Sequence, residues 1–470
     1  MEKQKKMNLS ECTTIIVGGD LTGDGSRIYA RSEDFDAMRC KNWLVFPETE
    51  NGPEEFVADD SAFRCPLPKK RFGYTALPDY QYHHEWGSAG FNTAGVGESS
   101  TETIFSSPEA LKNDPYVADG LAENCTYNTV LPYVSTAREG VERLGAMIEK
   151  YGSAEGFGIG FIDNKETWYL ENACGHHWLA CRIPNDKYFV TGNQSRFRDY
   201  DPNDKENFLA DSRLLSYAEE NGLWDPSEKF DFHKAYSKDD IADHTYNYTR
   251  VWGLQGLFTP SMKQNVDINN FPVYAVPDSG HIGIAELRKA FRFHYDGTDH
   301  DPYLHNNGKE PWRPVSIFRT TQTHLLQVRP WLPEAIGHIT YVANGMADLG
   351  VFLPIYQGIK SFPKAYSIGD NHCSLLYKKV KKLHVQKYPY NDFLYQTYTK
   401  LEAENDERQK EFEARYLAIY KEKPMEAQDM LQDFSDEILN KALEVADQLT
   451  LELFTRLTAD TMKAYMFHGA

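Results

Sequence analysis

The 470-residue chain lacks any apolar run long enough to cross a bilayer, and its first eleven residues, Met1 to Glu11, contain no apolar stretch. The first absence argues against a membrane span. The second argues against a secretory signal, although Lys3, Lys5 and Lys6 imitate its charged head. Positive charge is also short: 50 Lys and Arg against 69 Asp and Glu leave a net charge of −19, which speaks against nucleic acid and anionic membranes as partners. Cysteines are few and odd in number. The seven (Cys12, Cys40, Cys65, Cys125, Cys174, Cys181 and Cys373) show no paired short spacing of the metal-ligand kind, so reduced thiols in a cytoplasmic protein are expected. Cys174 and Cys181, across an expected hairpin, offer the weaker alternative of a disulfide. Repeats and low-complexity tracts are absent. Aromatic residues, by contrast, are plentiful, with 29 Tyr and 26 Phe, enough for a large core.

Periodicity lays out the rest. Thr13 to Gly19 reads as a buried strand, Asp20 to Ser26 as a Gly- and Asp-rich turn, and Arg27 to Arg31 as a returning strand. Residues 36–90, rich in Pro and aromatics, read as long loops with short strands. Val134, Ala137, Val141, Leu144 and Ile148 recur at helical spacing before Gly152, which predicts an amphipathic helix over Val134–Lys150. Phe157–Asp163, Thr167–Ala173, His177–Arg182 and Tyr188–Gly192 predict a four-stranded antiparallel meander. Ile241–Gly253 and Ile284–Phe293 read as helices and Arg313–Arg329 as a strand pair. From about Gln396 the composition turns charged and periodic. Lys400–Lys423 and Ala427–Met466 are expected as long antiparallel helices that cap the body or form a subunit contact, so a homo-oligomer is expected.

Cys12 is the candidate nucleophile. It opens a buried strand behind a short polar leader, and cleavage of the Glu11–Cys12 bond would give one residue both a thiol and a free α-amine as its base. The unperturbed pKa of such an amine, about 7.7–8.0, suits proton transfer near neutrality. The returning strand ends in Arg31-Ser32-Glu33-Asp34, which brings a guanidinium and carboxylates near Cys12. A guanidinium lowers a thiol pKa, and a carboxylate can hold an ammonium; the alternative is an ordinary surface salt bridge.

Cys12-Thr13-Thr14-Ile15-Ile16-Val17-Gly18, with Ala30-Arg31-Ser32-Glu33-Asp34, Thr191-Gly192-Asn193-Gln194-Ser195-Arg196, Thr249-Arg250-Val251-Trp252 and Arg313-Pro314-Val315-Ser316-Ile317-Phe318-Arg319-Thr320, resembles the N-terminal-nucleophile cysteine dipeptidases of the dipeptidase A type. The resemblance implies an α+β fold, a four-layer αββα sandwich with the long C-terminal helices added. It implies residues 1–11 as propeptide or disordered leader, 12–395 as the hydrolase domain and 396–470 as a helical extension. Short peptides are the implied substrates, cleaved through a Cys12 thioester, with no cofactor. Arg31 and Asp34 take the roles of the family's R-x-x-D pair. Asn193 becomes an oxyanion donor, and Arg319 the distal arginine with Arg313 as its rival. Where the related penicillin V acylases and bile-salt hydrolases carry a second asparagine, this chain has Thr101-Glu102-Thr103, and Glu102 is expected to bind a substrate α-ammonium. A bile-salt or penicillin V amidase is one alternative, and a non-catalytic secernin-like interaction protein another.

Other motifs are set aside. His83-His84-Glu85 and His176-His177 lack helical H-E-x-x-H spacing, so neither pair alone makes a zinc site. Asp296 to Pro302 imitates a calcium loop without its terminal Glu. Gly156, Gly158 and Gly160 lie in a strand with no phosphate-binding context. No metal is expected.

Overall fold

The computed structural model describes residues 11–35, 39, 41–79, 86–303, 312–367 and 387–464. The leader 1–10 and the His83-His84-Glu85 motif lie outside the described residues, as do Cys40 and Cys373. The opening hairpin follows its pattern: β1 (Glu11–Val17) and β2 (Arg27–Asp34) pair antiparallel, with Cys12 opposite Glu33 and Thr14 opposite Arg31. Asp24 closes the turn between them, its Oδ1 accepting from the Ser26 backbone N–H at 2.9 Å and hydroxyl at 2.6 Å. β2 runs three residues further than its apolar pattern predicts because another strand pairs along its far edge up to Asp34.

Two short ribbons follow, one of β3 (Leu44–Phe46) with β6 (Tyr74–Ala76), the other of β4 (Glu55–Val57) with β5 (Arg64–Pro66). The remaining strands are β7 (Ala89–Phe91), β8 (Gly97–Thr103), β9 (Phe157–Ile162), β10 (Thr167–Asn172), β11 (Trp178–Arg182), β12 (Tyr188–Thr191), β13 (Phe208–Ala210), β14 (Tyr274–Ala275), β15 (Thr320–Val328), β16 (His338–Asn344) and β17 (Leu353–Tyr356). Among the described residues they form a seven-stranded antiparallel sheet, ordered β14-β12-β1-β2-β15-β16-β17, and a six-stranded one, ordered β13-β11-β10-β9-β8-β7.

Here the structure corrects the expected meander. β9, β10 and β11 do pair in succession, but β12 leaves them for the other sheet and pairs with β1, Thr14 opposite Thr191. Alternation reports which faces of a strand are buried and says nothing about which edge it joins. The expected strand pair over Arg313–Arg329 is likewise a single strand, β15, whose partners are β2 and β16. The helix expected over Ile241–Gly253 is broken at Asn247 into Asp243–Tyr246 and Tyr248–Phe258.

The two sheets meet face to face along β1, β2, β8, β9 and β10. Tyr29 of β2 packs on Tyr169 of β10 with ring centroids 6.4 Å apart, and His324 of β15 is hydrogen-bonded to Ser99 of β8 at 2.8 Å. The helix Ala137–Tyr151 packs against β9 and β10 through buried Val141, Leu144 and Ile148, each worth about 1.5–3 kcal/mol of burial. It starts later than its apolar pattern because Thr136 caps it, accepting from the Glu139 backbone N–H at 3.1 Å.

The long helices Lys387–Ile419 and Pro424–Ala464 lie antiparallel. Phe412 stacks on Phe434 at 4.3 Å, while Arg408 meets Glu437 at 2.6 Å. The first helix is tied to the body by Arg292–Glu402 and Arg288–Asp406 ion pairs, and the expected boundary at 395 falls inside it. No helix among the described residues is long and apolar enough to cross a membrane. Cys174 and Cys181 are free thiols.

Candidate active site

The register of β1 on β2 decides which side chains meet. Residues directly opposite share a face, so Cys12 and Thr14 lie with Glu33 and Arg31 on the face toward the six-stranded sheet. Arg31 and Asp34 are three apart in one strand and therefore point to opposite faces. They do not pair with each other, nor do they form a surface salt bridge. Arg31 is buried and donates from Nη1 to the Ser100 carbonyl at 2.6 Å, with Nη2 3.5 Å from Glu33 Oε2. Asp34, also buried, accepts from Arg313 Nη2 at 2.5 Å, the Thr320 hydroxyl at 2.6 Å and the Ser32 hydroxyl at 3.2 Å.

Cys12 is fully buried at the start of β1. Burial holds its thiol well above the ordinary value; Arg31 pulls it down, while Glu102, Asp34 and Glu123 push it up. With Cys12 still in peptide linkage to Glu11, the neutral thiol is the resting form.

Asn193 comes to the Cys12 end of β1 because β12 lies beside β1. Its Nδ2 donates to the Thr103 carbonyl at 3.0 Å, using one of two hydrogens, and its Oδ1 accepts from Arg250 Nη2 at 2.7 Å. Arg250, buried in the helix Tyr248–Phe258, joins the site together. Its Nη1 donates to the Cys12 carbonyl and to the Thr13 hydroxyl at 2.9 Å, and its Nη2 also reaches Asn247 Oδ1 at 2.7 Å. Asn247, at the helix break, grips the Asn193 backbone, accepting from its N–H at 3.0 Å and donating to its carbonyl at 3.2 Å. Gly192 makes room for this: a Cβ there would stand 2.9 Å from the Arg250 guanidinium carbon.

Glu102 enters through a bulge. Ser99 of β8 faces the seven-stranded sheet, so a regular strand would turn Glu102 away from it. The register of β8 on β9 slips between Ser100 and Glu102, and this one-residue shift brings Glu102 back to the inner face. There its Oε2 accepts from the Thr14 hydroxyl at 2.8 Å, and Oε1 has no hydrogen-bond partner among the described residues. Burial raises its carboxyl to about 8, against the pull of Arg250, the Thr14 bond, Arg31 and Arg313.

Behind Arg31 lies a buried ionic cluster. Lys41 Nζ stands 2.6 Å from Glu33 and 2.8 Å from Asp79, and Ser88 donates to Glu33 at 2.5 Å. Burial opposes the charge on Glu33, but Lys41 and Arg31 outweigh it and bring the carboxyl down to about 2.

The structure thus brings together Cys12, Arg31, Asp34, Asn193 and Glu102. Arg319 stands one contact away, donating from Nη2 to the Tyr246 hydroxyl at 2.7 Å, while its rival Arg313 contacts Asp34 directly. Arg250 and Asn247 received no role in the sequence reading. The available signal was an arginine beside the apolar Val251 and Leu254 of one helix. His176 and His177 lie elsewhere, at the turn between β10 and β11. In the suggested calcium loop, Asp301 is engaged by His294 at 2.9 Å and by the Tyr303 backbone N–H at 2.9 Å.

The pattern described as Peptidase family C69 matches residues 11–409. A probable dipeptidase of Salmonella dublin is 48% identical over 355 residues, covering 75% of this chain and 82% of that one. A probable dipeptidase A of Streptococcus pyogenes serotype M1 is 34% identical over 373 residues, covering 77% and 78%. Among solved structures, a variant of the conjugated bile acid hydrolase from Clostridium perfringens is similar over 73% of this chain and 92% of that one. Its identity is 12% and the TM-score 0.30, too distant a likeness to argue from.

Proposed function

Because the chain belongs to peptidase family C69, we propose that it is a cysteine-type dipeptidase that hydrolyses short peptides through a thioester on Cys12. The observation that carries this reading is the environment of Cys12, a buried thiol at a strand start whose own carbonyl is tied through Arg250 to Asn193. Removal of residues 1–11 would replace the Glu11–Cys12 amide by a free amine at the nucleophile itself. That amine takes the thiol proton, and the thiolate, eased by Arg31, attacks the scissile carbonyl. The second hydrogen of Asn193 Nδ2 meets the oxyanion. The ammonium then returns its proton to the departing amino acid, leaving a thioester, and water activated by the same amine releases the acyl product. Asp34 lies near enough to raise the thiol, and in this reading its negative charge steadies the ammonium.

The same reading treats the two facing sheets as the centre of a four-layer αββα sandwich. Supporting it, the helix Ala137–Tyr151 covers the six-stranded sheet and the helix Tyr248–Phe258 packs on β12. Residues 12–395 would form the hydrolase unit and 396–470 an extension that continues the helix begun at Lys387.

Intact mass and a substrate panel test the proposal together. Active protein should begin at Cys12 and cleave dipeptides, and Cys12→Ala should be inactive. Cys12→Ser should turn over poorly, an alcohol being a weaker nucleophile than a partly ionised thiol. Full activity in protein retaining Met1 would defeat the mechanism, and preference for glycocholate or penicillin V would replace dipeptidase by amidase.

A further inference from the structure

A second constellation of reactive side chains lies away from Cys12, at the turn joining β10 to β11. His176-His177 alone has no ligand spacing. Cys174 joins the pair from three positions before His177 across the turn, where the Ala173 backbone N–H donates to the His177 carbonyl at 2.7 Å. Asp114 arrives from the loop that follows β8. One donor atom each from Asp114, Cys174 and His177 lies within 4.8 Å of the others. Cys174 and His177 are both more than nine-tenths buried.

We propose that Asp114, Cys174 and His177 form a binding site for a divalent zinc-type cation, with solvent from the adjoining cavity as fourth ligand. Thiolate, imidazole and carboxylate are the donor set that zinc favours, and three protein ligands with one open position make a tetrahedron. Charge balances as well: a thiolate and a carboxylate neutralise Zn²⁺, the thiol proton leaving to solvent. Donors around a tetrahedral zinc lie roughly 3.3–3.8 Å apart given bond lengths near 2.0–2.3 Å, so the three must close by at most roughly 1–1.5 Å.

The surroundings already orient two of the donors. Asp211 Oδ1 is hydrogen-bonded to His177 Nδ1 at 2.8 Å, the carboxylate–histidine arrangement that fixes a ligating ring and leaves Nε2 for the metal. Asp114 is gripped by His176, whose backbone N–H donates to Oδ2 at 2.6 Å and whose Nδ1 lies 2.7 Å from Oδ1. Close approach of the two segments depends on Gly175, since a Cβ there would stand 2.4 Å from the Pro115 carbonyl and 2.8 Å from Asp114 Oδ1. A cavity of about 670 Å³, lined by Asp114, His177, Asp211 and Tyr217 among others, gives an entry path. Occupied, the site would staple the β10–β11 turn to the loop after β8, the strand that delivers Glu102 and Thr103 to the Cys12 site.

The test titrates Zn²⁺ alone into chelator-stripped full-length protein carrying Cys12→Ser, so that the active-site thiol cannot compete. One zinc per chain is expected, with affinity falling about 100-fold or more in a further Cys174→Ser variant, as loss of a thiolate ligand implies. Cobalt should give a thiolate charge-transfer band that Cys174→Ser abolishes. His177→Gln serves if Cys174→Ser does not fold. Failure of the parent protein to bind zinc would overturn the proposal, as would binding indifferent to these substitutions or a cobalt complex without the thiolate band.

Discussion

Arg313 closes on Asp34 with Nη2 2.5 Å from Oδ2, and both side chains are buried. The pair bridges the end of β2 to the segment leading into β15, so the carboxylate proposed to steady the ammonium is held by an arginine 279 positions away in sequence.

This relationship separates the two candidate distal arginines. Arg313→Lys keeps charge but loses the planar fork, and one charge-assisted bond is worth about 1.5–3 kcal/mol, so kcat/KM should fall roughly tenfold to a hundredfold. Asp34→Asn should fall at least as far. Arg319→Lys, which changes a side chain bonded to the Tyr246 hydroxyl rather than to Asp34, should stay within a few-fold of wild type. Steady-state kinetics on one dipeptide decide it, and a larger loss at Arg319 than at Arg313 would reverse the assignment.

Arg250 carries the next expectation. It donates to the Cys12 carbonyl and to Asn193 Oδ1, so Arg250→Lys should lower kcat about 100-fold, in the range seen when an oxyanion donor is disturbed. If Arg250 acts by holding Asn193, the double variant Arg250→Lys/Asn193→Ala should lose little more than the worse single variant. Additive losses would show the two acting independently.

What could be read from the sequence was local. The strand around Cys12 and the turn at Asp24 follow from residue pattern, as does the helix Ala137–Tyr151. The register of one hairpin was enough to bring Arg31-Ser32-Glu33-Asp34 beside Cys12. What escaped depended on choices that alternation does not encode. β12 looks like the fourth strand of a meander, yet it crosses to β1, and only that crossing sets Asn193 and Arg250 at the nucleophile. Glu102 faces the site through a bulge, which flips the parity of every residue after it. Arg313 and Arg319 lie six residues apart in a loop, where sequence distance says nothing about reach.

The buried carboxyl of Glu98 makes a stability prediction. Burial raises it to about 8, with hydrogen bonds from Ser100 and the Leu131 backbone opposing the shift. The folded state therefore holds a proton that the unfolded chain, titrating near 4.5, has released. Its contribution is fully present below about pH 4.5 and is lost as pH rises through 8. Glu98→Gln cannot ionise, so its melting temperature should fall less between pH 5 and pH 8.5 than that of wild type. Glu102 shares the sign and should leave part of the slope in place. Parallel melting curves across this range would show that Glu98 does not titrate there.

Glu102 makes the prediction that bears on substrate class. Its Oε1 is buried with no hydrogen-bond partner among the described residues, and burial has raised its carboxyl to about 8, so the acid is held in a less stable state when ionised without a cation. A substrate α-ammonium would supply that cation and draw the carboxyl toward its ionised form. A dipeptide should therefore be cleaved far better than the same dipeptide N-acetylated, by roughly tenfold to a hundredfold if one buried charge-assisted bond is at stake. Glu102→Gln should narrow the ratio mainly by raising KM for the free dipeptide, since the amide keeps the shape of the carboxylate and loses its charge. The pH profile carries a second signature. Free peptide amines lose their proton near pH 7.7–8.0 while Glu102 gains its charge near 8, so kcat/KM for the free dipeptide should peak in that region. In Glu102→Gln the acidic limb due to this carboxyl should disappear. Equal or better cleavage of the acetylated substrate would mean that Glu102 does not receive an ammonium, and would turn the reading toward an acylase built on the same Cys12.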